Sequence, residues 1–182
     1  MIFRTPIETS RLRLQNESSL DFERFYSMTV DPEVMQYIGD GSVYRWTRDV
    51  ASAKYGEGIV RQENDKTGNL AVYRKDESLY IGWCGVTYSK FLDHIELGYR
   101  YCRDSWSRGY ATEAGRAVLS ETYRVTDIDK ILACVHPENI SSIRVLEKLG
   151  FHLSHTKFSN PIKREMPVFG IDRAAFEHNR EC

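Results

Sequence analysis

Between residues 105 and 119 the sequence reads SWSRGYATEAGRAVL, a small, polar turn around Gly109 that runs straight into an alanine-rich helical pattern. Two readings fit so little side chain at a helix start. Either Gly109 relaxes a sharp bend, or the first-turn amides, which lack helical partners, are left bare for a bulky anion. The chemistry of the second reading is phosphate binding by main-chain donors at the positive end of a helix. A stretch of the same form, HPENISSIRVLEKLGF over residues 136–151, opens with Asn139, Ser141 and Ser142. Its apolar face is Ile140, Ile143, Leu146 and Leu149, widened by Val145. Asn139 stands where an N-cap acceptor belongs, and Gly150 fits a left-handed cap that lets Phe151 fold back on Leu146. Two strand-to-helix junctions with small polar openings suit an extended, phosphate-bearing ligand.

Other nucleotide and nucleophile chemistries find less support. Neither a P-loop nor a GxGxxG fingerprint follows any strand-like run. Cys84, in GWCGV, would need a base aimed at it to act as a nucleophile, and its neighbours read as buried strand. The cysteines (Cys84, Cys102, Cys134 and Cys182) form no CxxC pair. Three of them lie in apolar runs, which suits reduced core thiols rather than disulfides or zinc ligands, so no metal is expected.

The elements that must position these residues alternate in type. SRLRLQ (10–15) alternates as a strand does, and Ser18 or Ser19 is placed to cap a helix through Phe25 and Tyr26. DPEVMQYI (31–38) has proline in the first turn of a short helix, and residues 47–63 read as a weakly amphipathic one. NLAVYRK (69–75), LYIGWCGVTYSK (79–90) and HIELGYRYC (94–102) describe a meander of antiparallel strands. A helix (109–124), the strand KILACVH (130–136), a helix (139–149), a strand from Phe151, an extended piece around PVFGI (167–171) and a terminal helix complete the chain. The expected class is α+β, a mixed sheet with helices packed on it.

At 182 residues, with no repeat, low-complexity tract or linker, residues 1–182 are expected to form one domain. The formal net charge of -1, from 25 Lys+Arg against 26 Asp+Glu, gives no global pull toward nucleic acid or a membrane. Arg4 and Glu8 interrupt the N-terminal stretch, and no later run approaches the ~20 apolar residues of a membrane span. A soluble, cytoplasmic protein is expected.

The run SWSRGYATEA resembles the pyrophosphate loop of the GNAT superfamily of acyl-CoA N-acyltransferases, in the W-G-K-G-Y-A-T-E-A form of its RimJ/RimL-like branch. NISSIRVLEKLGF is similar to that branch's late helix, TSRLRLQ to its first strand, and IELGYRYCRDSW to the strand and lead-in before the loop. The pieces span nearly the whole chain in family order. The resemblance implies a central, mostly antiparallel, splayed sheet flanked by helices, with acetyl-CoA as donor and a primary amine as acceptor.

It also implies roles. The amides of Ser107, Arg108, Gly109, Tyr110, Ala111 and Thr112 would bind the pyrophosphate, with Arg108 and Arg103 as candidates for charge-assisted bonds. Ser107 departs from the family's usual first glycine. Tyr101, Cys102 and Arg103 would pair with the pantetheine arm along a splayed strand, for which Gly98 suits a bulge or a close approach. An amide near Tyr99 to Tyr101 would face the developing oxyanion.

Glu96 is the candidate general base, because an alkyl ammonium must lose a proton before it attacks; its alternative roles are substrate binder and plain strand carboxylate. His94 is the rival base. Many members protonate the departing thiolate with a late-helix tyrosine, but Leu146 stands at that position here, which leaves Ser142 or water. Asn139 is assigned to cofactor binding, with a plain helix cap as its alternative.

The acceptor side falls to residues 28–62, where Tyr37, Tyr44, Trp46 and Tyr55 either line a cleft or belong to the core. A protein N-terminal amine and a small-molecule amine both remain open, as do monomer and homodimer. The competing class is a non-catalytic acyl-CoA-binding or sensing domain.

Overall fold

Strand patterning is sharpest over residues 68–101, and there the backbone follows the expected boundaries closely. The computed structural model describes residues 3, 5–18, 21–39, 45–65 and 68–181. In chain order the elements are β1 (Ile7–Glu8), β2 (Leu12–Gln15), α1 (Phe22–Val30), α2 (Pro32–Met35), α3 (Arg48–Asp65), β3 (Gly68–Arg74), β4 (Leu79–Ser89) and β5 (His94–Tyr101). A 3-10 turn (Arg103–Ser105) leads to α4 (Tyr110–Val125), β6 (Lys130–Cys134), α5 (Ile140–Leu149), β7 (His152–Ser159), β8 (Arg164–Asp172) and α6 (Arg173–Glu181). None of these helices is long and apolar enough to cross a membrane.

All the strands join one 8-stranded sheet in the order β1-β2-β3-β4-β5-β6-β8-β7. Every neighbouring pair is antiparallel except β5 with β6. That parallel pair touches in register at Glu96↔Leu132 alone, so the two strands diverge toward their C-terminal ends. The fork is therefore built into the middle of the sheet. The bulge expected near Gly98 is not in the pairing of β5 with β4, which runs unshifted from Gly82↔Tyr101 to Ser89↔His94. The register shift lies one strand further out, between Val72 and Tyr73 of β3. Gly98 instead serves a close approach: a Cβ there would stand 3.3 Å from the Trp83 ring.

Alternation along the strands sends side chains to two different layers. Leu97 and Tyr101 of β5 join Ile81, Cys84 and Val86 of β4 in the main core, which α4, α5 and α6 cover through Val118, Leu119, Leu146, Leu149 and Phe176. On α4, Gly115 lets α5 pack close, since a Cβ would fall 2.8 Å from Leu149 Cδ1. A smaller cluster of Met28, Val34, Met35 and Cys102, with Phe25 and Trp83 against it, seats α1 and α2.

Local chemistry sets most helix ends. Asp31 caps α2 by accepting the Glu33 amide at 2.9 Å, with Pro32 in the first turn. On α5, Asn139 Oδ1 accepts the Ser142 amide at 3.1 Å, and the other end closes with Gly150 donating to Glu147 O and Phe151 to Leu146 O, both at 3.0 Å. That pair of bonds is the Schellman arrangement. Ahead of α1, where Ser18 or Ser19 is expected to cap, Asp21 donates its amide to Ser18 O at 3.0 Å, and its carboxylate accepts the Ser18 amide at 3.3 Å and the Tyr73 hydroxyl. Ser19 lies outside the described residues. The extended piece expected at 167–171 is the core of a longer strand, whose exposed start at Arg164 and Glu165 hid it from an apolar pattern.

Candidate active site

The turn before α4 carries its backbone in unusual form. Ser107 has φ 59 and Gly109 φ 79, both left-handed, so the chain coils back on itself immediately before the helix. Successive amides then turn to the same side, as in an anion-binding nest. Among the described residues the amides of residues 107–112 donate to nothing, and the first helical bond is Glu113 N–H to Gly109 O at 3.0 Å.

An arginine from the other end of the chain braces this turn. Arg11 Nη1 donates to Arg108 O at 3.0 Å, and its guanidinium lies 4.7 Å from the Tyr110 ring centroid. Arg11 also pairs with Glu113 at 2.6 Å, and Glu113 accepts from Thr9 Oγ1 at 2.6 Å and from the Arg11 amide at 2.9 Å. Arg11 escaped sequence reasoning because it contacts the loop across about a hundred residues, and nothing local marks it. Of the arginines named from sequence, Arg108 is exposed beside the turn. Arg103 is turned away, its guanidinium held by Glu33 and by Asp31 at 3.5 Å.

The fork supplies a second set of main-chain groups. Cys102 N–H donates to Ile81 O of β4 at 2.9 Å, so with backbone direction alternating along β5 the amides of Tyr99 and Tyr101 turn the other way, into the fork. Tyr101 O is taken by Trp106 Nε1 at 2.8 Å. The Leu97 carbonyl, the Tyr99 amide and carbonyl and the Tyr101 amide are then the β5 groups on the side of the opening.

At the base of the fork sits Glu96. Its Oε1 accepts the Cys134 amide at 3.1 Å, the bond that a continued parallel ladder would have given to the β5 backbone. Among the described residues Oε2 has no partner and no cation pairs with the carboxylate. His94 lies on the closed side of the Glu96↔Leu132 contact, with Nδ1 3.3 Å from Ile95 O. Burial, then the nearby Glu96 charge, pushes the Cys134 thiol up to about 12, and burial pushes Cys84 up to about 12 as well. Both thiols stay protonated near neutrality, so neither is a ready nucleophile.

Across the fork, α5 brings Ser142 to β5. The Ser142 hydroxyl and the Tyr99 hydroxyl are 2.9 Å apart, and Tyr99 also donates to Ser142 O at 3.2 Å. Burial pushes the Tyr99 phenol up, so it keeps its proton. Tyr99 was noted from sequence for its amide alone; alternation marks its side chain as core-facing, and only the packing of α5 reveals its polar partner. Leu146 is fully buried in the main core. Asn139 is a true cap and holds the turn that carries Ser142.

Of the aromatics on the presumed acceptor side, Tyr55 is core, stacked on Phe25 at 4.4 Å and donating to Ser18 O at 2.9 Å. Trp46 is half-buried, and Tyr44 lies outside the described residues. Tyr37 lies tilted against His136 at 5.0 Å between centroids, joining the end of α2 to the segment after β6.

The site is thus a mixed sheet forked at its one parallel pair, with a nest of free amides at the adjacent helix start, in an α+β domain. Residues 11–152 match the family model described as the acetyltransferase (GNAT) domain, and the chain belongs to that family of acetyltransferases. It is 32% identical over 145 residues to the uncharacterized N-acetyltransferase YnaD of Bacillus subtilis (strain 168), covering 79% of this chain and 81% of that one. The fold is similar to that of a GNAT-family acetyltransferase from Bacillus anthracis, with TM-score 0.76 and 24% identity over 91% of this chain and 97% of the other. It is also similar to AAC(6')-Ib solved in complex with ribostamycin and coenzyme A, with TM-score 0.74 and 16% identity over 94% and 98%.

Proposed function

We propose that the protein transfers the acetyl group of acetyl-CoA to a primary amine by direct attack, as a RimJ/RimL-like N-acetyltransferase of the cytoplasm. The observation that carries this reading is the adjacency of two sets of unpartnered main-chain donors, residues 107–112 and the fork edge of β5. A diphosphate fits the first set, because each oxygen takes an amide and the helix end favours negative charge. Arg11 and Arg108 add positive charge beside it. A pantetheine arm, which carries its own amides, fits the second set, at the Tyr99 carbonyl and amide and the Tyr101 amide. Cys102 and Arg103, also expected to pair with the arm, do not extend that edge: the Cys102 amide goes to Ile81 O, its carbonyl accepts the Ser105 amide at 3.0 Å, and Arg103 opens the 3-10 turn.

In this reading Glu96 is held in place through one oxygen and takes the proton of the incoming ammonium on the other, directly or through one water. The amine nitrogen bonds to the thioester carbon, a β5 amide steadies the oxyanion, and the C–S bond then breaks. The thiolate takes a proton from Ser142 or from water, and the surplus proton on the acylated nitrogen replaces the one given up. Leu146 contributes only packing.

The test is release of free CoA from acetyl-CoA with a mixed panel of amines, including peptides with free N-termini. Release that depends on an amine and is lost in Glu96→Gln supports transfer. Coenzyme A that raises the melting temperature while no amine gives release replaces the reading with a non-catalytic acyl-CoA-binding domain.

A further inference from the structure

Glu96, Gly98 and Arg100 point to the same face of β5, the face that α1 and α2 flank and that is opposite to the α4–α5 core. Arg100 pairs directly with Trp83 of β4, and its guanidinium stands 5.7 Å from the Trp83 ring centroid. Its Nε is sealed from solvent without a hydrogen-bond partner, and among the described residues the guanidinium has no carboxylate. Other half-buried arginines have polar partners. Arg24 bonds Asp104 at 2.9 Å and Tyr80 O at 3.2 Å, and Arg173 bonds the carbonyls of Tyr123, Thr126 and Ile128.

A second polar group close by is also unsatisfied. The Tyr80 hydroxyl is buried and partnerless, and near enough to Arg100 to bias its protonation. Burial pushes Arg100 down to about 10, which still leaves it cationic near neutrality. A half-buried guanidinium with a sealed, unpartnered Nε and no counter-ion costs free energy that a fold does not bear without return. Between this cation and the Glu96 carboxylate the strand presents only Gly98, and the Trp83 ring lies over it, so that ring forms the surface joining them. Four residues of strand separate their Cα atoms by about 13 Å, and both side chains are long enough to shorten that gap.

We propose that the acceptor amine carries an acidic group, a carboxylate or phosphate several bonds from the nitrogen, and that Arg100 binds it while the amine faces Glu96. This deepens the acetyl-transfer reading and rests on it. A guanidinium fork takes an acidic group by paired hydrogen bonds, and Tyr80 supplies a further donor. A polycationic acceptor such as an aminoglycoside meets an uncompensated charge of its own sign.

The experiment compares CoA release for matched acceptors: dipeptides with a free C-terminal carboxylate, the same dipeptides as C-terminal amides, and ribostamycin as the polycationic control. The acids should exceed the amides in kcat/KM by about ten- to a hundredfold, as for a hydrogen-bonded charge. Arg100→Met should reduce that ratio to near one through KM for the amine, leaving KM for acetyl-CoA unchanged. It should melt no lower than the parent, because it removes a half-buried charge that has no counter-ion. Arg100→Lys keeps the charge without the fork and should fall between the two. Amides used as well as acids, or a preference that survives both substitutions, overturns the proposal. If no amine gives CoA release, the same peptides are titrated calorimetrically into CoA-saturated protein. Binding of acids by the parent and not by Arg100→Met sustains the anion site while the transfer reading falls, and equal binding of acids and amides removes both.

Discussion

Glu96 and Cys134 are joined across the fork of the sheet, the carboxylate Oε1 accepting the Cys134 amide at 3.1 Å. The bond does two things. It satisfies a β6 donor that lost its ladder partner when the strands diverged, and it fixes the orientation of a carboxylate at the base of the opening. Glu96→Gln separates these functions, because a glutamine amide oxygen still accepts from Cys134 but takes no proton. The expected result is a melting temperature close to the parent's with kcat lowered about 10²- to 10⁴-fold. A parent-like kcat in Glu96→Gln would leave Glu96 as a structural bracket only.

Gly109 tests the nest before α4. Its φ of 79 is left-handed, while a Cβ there would meet nothing closer than Arg11 Nη2 at 3.5 Å. Gly109→Ala therefore suffers from backbone conformation rather than from a clash, at about 1–2 kcal/mol. If the turn relaxes to escape that cost, its amides diverge, and affinity for coenzyme A should drop together with stability. Calorimetric titration with coenzyme A and a thermal melt read the two effects side by side.

Local periodicity carried most of the fold and, in the α5 helix, even the cap chemistry, because Asn139, Gly150 and Phe151 act on residues within a turn of themselves. Contacts that cross the chain left no such trace. Arg11 on Arg108, Tyr99 on Ser142, and Glu96 on Cys134 each depend on which strands and helices become neighbours. The unpartnered state of Arg100 is harder still to foresee. It is a property of everything around the side chain, and an arginine in a strand reads the same whether or not a carboxylate faces it.

Glu113 links the N-terminal turn to the loop, and its ionisation should be visible in stability. Burial alone would raise its carboxyl, but bonds from Thr9, the Arg11 amide, the Arg11 guanidinium and Ser10 outweigh burial and hold it below the ordinary 4.5. A carboxyl depressed by folding binds fewer protons folded than unfolded. Its contribution is therefore complete above 4.5 and fades as the pH falls through the folded value. Glu113→Gln should melt lower than the parent at neutral pH, by about 1–3 kcal/mol for lost charge-assisted bonds. The gap should close on acidification. Melting curves taken from neutral pH to below 4.5 would show a constant gap if ionisation of Glu113 were irrelevant.

Ser142 and Tyr99 bear on how the thiolate leaves. The phenol is held neutral by burial, so it positions a proton rather than releasing one. When Tyr99 donates to Ser142 Oγ, 2.9 Å away, the serine's own hydrogen is free to turn into the fork; when Tyr99 donates to Ser142 O, the serine hydrogen is drawn back to the phenol. A serine that protonates the leaving sulfur makes Ser142→Ala slow in kcat, by about tenfold, since a CoA thiol is far more acidic than an alkyl amine and needs modest help. Replacing acetyl-CoA by an acetyl thioester of a more acidic thiol should narrow the gap between Ser142→Ala and the parent. Tyr99→Phe should show a smaller loss with the same sensitivity to leaving group, because it disturbs the orientation of the serine and not its proton. Equal loss with both thioesters would mean that the pair shapes the cleft wall and that water supplies the proton.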